Sequence, residues 1–194
     1  MSDLDVLAGI IGSDGHIYKS GYTFCVVNKN RDFIENMVIP LIRQTTGKTQ
    51  KPKLVPSGFG EGKFKVHVSS VKFCRMLTKK YNIPVGAKSN SINPPNLPSQ
   101  KRKLDFLRGW IAGDGSVTTD RTRAKIEIWS KSFTILNWFK EVLNDSGIKS
   151  RMFQEKNKNE HILRIGRKDD VELFYQNIKI PHSEKQNRLE CLLS

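Results

Sequence analysis

"LAGIIGSDG", Leu7 to Gly15, and "LRGWIAGDG", Leu107 to Gly115, are two versions of one phrase set one hundred residues apart. Each is an apolar run punctuated by small residues and closed by Asp-Gly. A single Asp-Gly reads as a hairpin turn or a helix stop. Two copies with the same apolar preface, each opening half of a 194-residue chain, read as a duplicated unit.

The signals after each copy keep the same order. "HIY" and "YTFCVVNKN" follow Gly15, and "SVTTD" and "AKIEIWSKS" follow Gly115, with the alternation of strands. Helix-like stretches come next, "RDFIENMVIPLIRQTTG" and "FTILNWFKEVLNDSG", stopping at Gly47 and Gly147 as C-terminal caps. Pro40 is expected to bend the first of them. Two more strands follow, the last being "KFKVHVSS" and "HILRIG". A closing helix then runs into Ile83-Pro84 or Ile180-Pro181. The expected fold class is α+β, with two pseudo-symmetric αββαββα halves, residues 1–88 and residues 100–194. Between them "SNSINPPNLPS", Ser89 to Ser99, has three prolines, three asparagines and no charge, and reads as a linker.

Composition narrows the partner. Lys and Arg number 33 against 19 Asp and Glu, a net charge of +14. Residues 1–99 carry 14 basic and 6 acidic side chains and residues 100–194 carry 19 and 13, so both halves are basic and neither is a charged tail. Such an excess attracts polyanions, and nucleic acid is the expected one. No long apolar segment or basic amphipathic helix points to a membrane. The acidic, polar start and the glycines in the run after it do not make a signal peptide. Cys25, Cys74 and Cys191 are odd in number and scattered, and His16, His67, His161 and His182 have no ligand spacing. Neither a disulfide framework nor a zinc site is expected, and the expected setting is intracellular and reducing.

The motif itself implies chemistry. Ser2 with Asp5 resembles a capping box, and Ser99 can cap the second copy. Each helix would then end at its Asp. Gly9 and Ser13 in the first copy, and Gly109 and Gly113 in the second, lie four apart on one face, where missing side chains let two backbones approach. Packing those faces together brings Asp14 and Asp114 side by side. An acid at a helix C-terminus costs about 0.3–1 kcal/mol, and two acids together repel. A divalent cation reverses both penalties, and oxygen-only ligands with open positions suit Mg²⁺.

Strand alternation separates two faces. Tyr22, Phe24 and Val26 form one side, leaving Thr23, Cys25 and Val27 on the other; Phe64, Val66 and Val68 alternate with Lys63, Lys65 and His67. In the second half Ala124, Ile126 and Ile128 turn inward, leaving Arg123, Lys125, Glu127 and Trp129 outward, and Arg164 lies between Leu163 and Ile165. A basic sheet of this kind suits the major groove, where Arg and Lys pair with guanine and Glu accepts from cytosine. Lys51, Lys53, Lys156 and Lys158 in loops suit phosphates.

At these residues the chain resembles the LAGLIDADG homing endonucleases in their single-chain, two-motif form. Leu7–Gly15 matches the signature with Gly12 in place of its first acid, and Leu107–Gly115 matches more loosely but keeps the second acid and the final Gly. The resemblance implies packed motif helices under two saddle-shaped antiparallel sheets that face DNA. It implies metal at Asp14 and Asp114, with the backbone of Ser13 and Gly113 as further ligands. It implies a polar residue before a Lys near the end of the second strand, here Asn28 and Ser130, which orders water. It implies a basic residue after each closing helix, here Lys88 and Lys185. The implied protein is a monomeric double-strand endonuclease using Mg²⁺, with Mn²⁺ as a substitute, cutting a long non-palindromic site across the minor groove, and encoded in a mobile intron. An RNA-splicing maturase or a non-cleaving sequence-specific DNA-binding protein on the same scaffold are the alternatives; intact Asp14 and Asp114 favour cleavage. An intein is not expected, because the chain starts at Met and ends "ECLLS".

Overall fold

A computed structural model describes residues 3–56, 61–88, 90–120, 123–155 and 159–193, apart from the side chains of Asp120 and Arg123. Ser2, Ser89, Lys156, Lys158 and the Arg123 side chain, all given roles above, lie outside the described residues. The first half runs α1 (Asp3–Asp14), β1 (Gly15–Ile17), β2 (Thr23–Asn28), α2 (Arg31–Phe33), a π-helical turn (Ile34–Val38), α3 (Ile39–Thr46), β3 (Lys53–Leu54), β4 (Phe64–Ser69) and α4 (Val71–Tyr81). The second runs α5 (Gln100–Asp114), β5 (Gly115–Asp120), β6 (Arg123–Ser130), α6 (Phe133–Asn144), β7 (Arg151–Glu155), β8 (Glu160–Ile165), α7 (Lys168–Asn177) and α8 (Ser183–Leu193). The two antiparallel four-stranded sheets have matching orders, β1-β2-β4-β3 and β5-β6-β8-β7. Helix α8 is an addition that the repeat does not contain.

Local chemistry accounts for the boundaries. Gly47 caps α3 in the left-handed conformation with φ 71°, and Gly147 turns the chain after α6 at φ 78°. At these angles a Cβ would clash with the backbone, so glycine is the residue that fits. Pro40 does not break its helix. It sits in the first turn of α3, straight after the π turn, whose wider coil accommodates a ring that would otherwise meet the carbonyl four residues back. Ser99 stands at the N-cap of α5, but its hydroxyl makes no cap bond; only its carbonyl takes part, accepting from Lys103 N–H at 3.1 Å. Tyr22 is not a core residue. It precedes β2, in the turn that closes the β1–β2 hairpin, and is 59% exposed.

Helices α1 and α5 cross with their backbones almost touching. A Cβ on Gly9 would lie 2.1 Å from the Phe106 carbonyl oxygen, and one on Gly109 would lie 2.1 Å from the Val6 carbonyl oxygen. These positions correspond across the pseudo-two-fold axis, since each carbonyl belongs to the residue three before the other helix's glycine. Further along, a Cβ on Gly113 would lie 2.1 Å from Ser13 Oγ. Gly12, where the family motif has its first acid, makes room for Trp110, whose Cζ3 would be 2.8 Å from a Cβ there. The N-terminal end of the crossing is tied by charge. Buried Asp5 accepts from the Tyr81 hydroxyl at 2.6 Å and from Arg102 Nε and Nη2 at 2.8 and 2.6 Å. One carboxylate thus joins α1, α4 and α5.

Candidate active site

The C-terminal ends of the crossed helices lead into β1 and β5, so each motif acid lies at the start of the first strand of its sheet. The carboxyl carbon of Asp14 would be 3.1 Å from a Cβ on Gly113, which places it against the backbone of the opposite helix. Asp14 is half-buried, while Asp114 opens to solvent at the mouth of a cleft of about 200 Å³. Ser13, Lys88, Trp129, Ser130 and Glu160 share that cleft with Asp114. Restricted hydration in this concave setting raises both carboxyl pKa values. For Asp14 burial comes first and repulsion from Asp114 second, reaching about 6 against the pull of Asn28 and the two lysines. Burial also raises Asp114, opposed by Lys88 and Lys185. Neither acid has a Lys or Arg partner within ion-pair distance among the described residues.

The lysines stand at matched places but do not bind the acids directly. Lys88 Nζ donates to the carbonyls of Ile11 (2.9 Å), Gly12 (2.6 Å) and Ser13. Lys185 Nζ donates to the carbonyls of Ile111 (3.0 Å), Ala112 (2.8 Å) and Gly113 (2.7 Å). Each ammonium has three N–H bonds and uses all three on carbonyls left free at a helix end. Each therefore puts positive charge where the helix dipole is negative and where two acids repel. Burial lowers both lysines to about 8 despite the nearby carboxylates. The carbonyls of Ser13 and Gly113, expected to hold metal, accept from these ammoniums and keep a second lone pair free.

Different local devices bring the two lysines to equivalent positions. After α4, Val85 makes a parallel bridge to Ile17 and Gly86 N–H donates to Ile17 O at 2.8 Å, which leads to Lys88. Lys185 instead sits in the first turn of α8. That turn docks on the opposite half: Asn30 Nδ2 donates to Glu184 at 3.1 Å, and the His182 ring stacks on Phe33 with centroids 4.5 Å apart. The segment after Lys88 crosses the other way, where the Ser132 hydroxyl donates to Ile92 O at 2.8 Å.

Asn28 and Ser130 differ. Asn28 Nδ2 donates to Asp14 Oδ2 at 2.6 Å, and its Oδ1 accepts from Asn30 N–H at 2.8 Å, so the amide is held at both ends. Ser130 Oγ accepts from Ser132 N–H at 3.1 Å and reaches no oxygen of Asp114. The cleft is thus chemically asymmetric.

Beyond the cleft the outer sheet faces carry the expected cations. Lys65 and His67 lie opposite buried Val66 and Val68, and Lys63 just precedes β4 at the end near Asp114. Lys125, Trp129 and Arg164 lie on the corresponding face of the second sheet, with Trp129 reaching into the cleft. Glu127 needs correction as a reader of cytosine. It is 6% exposed, and its carboxylate binds Arg164 at 2.7 Å with Lys125 at 3.6 Å, so it presents those cations rather than itself. His16 and Tyr18 also occupy the first outer face, with Tyr18 beneath the Lys65 ammonium at 5.4 Å. Strand alternation from Ile17 could have found His16. Glu160, in the cleft with Asp114, had no such signal because a turn separates it from any motif.

Residues 102–179 match the family model of the LAGLIDADG-like domain. Among relatives, it is 20% identical over 177 residues to the homing endonuclease I-DmoI of Desulfurococcus mucosus, covering 87% of this chain and 84% of the relative. Its fold is also similar to that of I-DmoI in complex with DNA and Mn (TM-score 0.63, 21% identity, 91% and 95% of the two chains). The homing endonuclease I-WcaI bound to its DNA recognition sequence gives a TM-score of 0.68 at 17% identity over 97% and 86%. DUF199/WhiA from Thermatoga maritima gives 0.65 at 15% identity over 98% of this chain and 61% of that one. The α+β architecture of two antiparallel sheets over the paired helices α1 and α5 is therefore that of known two-unit structures. No helix among the described residues is long and apolar enough to cross a membrane.

Proposed function

We propose that this protein is a monomeric, site-specific DNA endonuclease that hydrolyses one phosphodiester in each strand of a long non-palindromic duplex. Its likeness to I-DmoI and I-WcaI supports a DNA endonuclease. Fold alone does not decide activity, however. The observation that carries the reading is the pair Asp14 and Asp114, set at touching helix ends beside two basic sheets, with no ion-pair partner among the described residues.

Residues 1–88 and 100–194 act as two units joined by residues 89–99, each unit reading half of the site. The acids fit a divalent cation. They are oxygen donors that repel each other, and the carbonyls of Ser13 and Gly113 lie beside them, whereas no cluster of three or more His, Cys, Asp or Glu suited to zinc exists among the described residues. Mg²⁺ is the cation proposed, with Mn²⁺ as a substitute; when bound it supplies charge neutralisation at the phosphate and makes water more acidic. Asn28 fixes the carboxylate of Asp14. Lys88 and Lys185 hold the helix ends and offset the acids' mutual repulsion. Lys63, Lys65, His67, Arg123, Lys125, Trp129 and Arg164 bring the duplex onto the sheets, and the protein itself is encoded in a mobile intron.

A library of long duplexes incubated with the protein and Mg²⁺ tests this. Recovery of one family of non-palindromic sequences cut in both strands is the expected result. Binding without cutting would leave a regulator, and selective binding of RNA over DNA would leave a maturase.

A further inference from the structure

A cavity of about 600 Å³ opens at one corner of the second sheet, where β7 begins, β8 ends and α7 starts. Lys149, Ser150, Arg151, Phe153, Arg164 and Arg167 line it, and no carboxylate among the described residues does. Arg164 stacks on the Phe153 ring at 4.7 Å while Glu127 holds it from behind, so its guanidinium is fixed in place. Arg167 lies 3.6 Å from Asp170, whose other oxygen accepts from Lys149 N–H at 2.8 Å. The Lys149 and Arg151 side chains pair with no carboxylate among the described residues. The Ser150 hydroxyl is buried and has no hydrogen-bond partner there either. Four cations, two of them unpaired, and an unused hydroxyl form a site that offers donors and positive charge.

Its position relates it to the sheet face. Arg151 is opposite Arg164, Arg164 is opposite Glu127, and Ser130 lies three residues beyond Glu127 along β6. With about 3.3 Å per residue and about 4.8 Å between strands, the cavity lies roughly 14 Å from the Ser130 end of the cleft. That distance is about four base steps along one strand.

We propose that this cavity binds one backbone phosphate of the bound duplex, toward the outer part of the second half-site. The inference rests on the nucleic-acid reading above but not on cleavage. Donors on a phosphate set register and orientation and carry no base information. The outer edge of the sheet therefore anchors the duplex while Lys125 and Trp129 face the bases.

Binding measured with EDTA present, so that cutting does not enter, tests the proposal. Duplexes carry a single neutral methylphosphonate at successive backbone positions and are titrated with the wild type and with a Lys149→Gln, Arg151→Gln variant. Both replaced side chains are exposed, so folding should survive; circular dichroism checks this, and Arg167→Gln serves as a second variant. One outer position should weaken wild-type binding about tenfold, and that same position should cause no further loss in the variant. The variant's slope of log K against log salt should fall by about one, the contribution of a single phosphate. Additive losses at every position, or an unchanged slope, would overturn the proposal. So would stabilisation of the wild type, but not the variant, by inorganic phosphate with no coupled backbone position, because the cavity would then take a free anion. Coupling in a protein that never cuts would support the pocket and defeat the endonuclease reading. Absence of any duplex binding would defeat both.

Discussion

Gly109→Ala tests the helix crossing that brings the acids together. The new methyl would lie 2.1 Å from the Val6 carbonyl oxygen and 3.1 Å from Val6 Cα, where ordinary contact begins near 3.4 Å. The obstacle is helix backbone on both sides, so no rotamer change relieves it and the helices must part by about 1 Å. Overpacking of a well-packed core costs typically 1–3 kcal/mol, and two rigid walls place this case near the upper end, about 3 kcal/mol. For a chain of this size that lowers Tm by about 6–12 °C. Urea and thermal unfolding of the wild type and variant measure it. Gly21→Ala provides the contrast. Nothing lies within 4 Å of a Cβ there, so any cost comes from its φ of 70° alone and should stay near 1 kcal/mol. If Gly109→Ala matches the wild type within 0.5 kcal/mol, the close crossing is wrong, and with it the spacing of Asp14 and Asp114.

Other consequences can be measured separately. Asp5→Asn should cost about 3–5 kcal/mol in chemical denaturation, because it leaves the Arg102 charge without its partner in a mostly buried site; a loss under 1 kcal/mol would show that the network is solvated. His182 is buried and held neutral, its pKa lowered to about 4 by burial and then by Lys185. The unfolded chain takes up that proton near pH 6.5, so stability is full above pH 6.5 and falls as pH drops toward 4, by about 3 kcal/mol at most. His182→Phe should remove this part of the acid loss in unfolding curves between pH 4 and 8, and parallel curves would contradict it. Lys88→Ala and Lys185→Ala should slow cleavage far more than they weaken binding, because each ammonium is fully engaged by helix carbonyls. A salt slope lowered by about one unit in each variant would mean that these lysines hold phosphates instead.

The repeat was legible because a duplicated unit writes its local signals twice. The glycines of the crossing, the caps at Gly47 and Gly147, the inward Val66 and Val68 and the pairing of Asp14 with Asp114 all depend on neighbours close in sequence or on symmetry. What the sequence did not reveal depends on distant partners. Asp5 meets Tyr81 and Arg102 from two other helices, and no spacing in the chain records that meeting. Alternation put Glu127 on the outer face correctly, but alternation does not show that Arg164, on a strand 37 residues away, would cover it. The place of Lys88 and Lys185 after Ile-Pro was readable, whereas their carbonyl acceptors required the fold. Helix α8 has no counterpart in the first half, so symmetry could not supply it.

Comparison of the wild type with an Asp14→Asn, Asp114→Asn double variant, in binding and cleavage of the selected duplex with Mg²⁺, tests the central claim most directly. The amide keeps the size of each side chain and removes the charge that would hold the cation. The account predicts that the variant folds, binds the same site with affinity at least equal to the wild type's, and cuts neither strand. Wild-type cleavage by the double variant would contradict it.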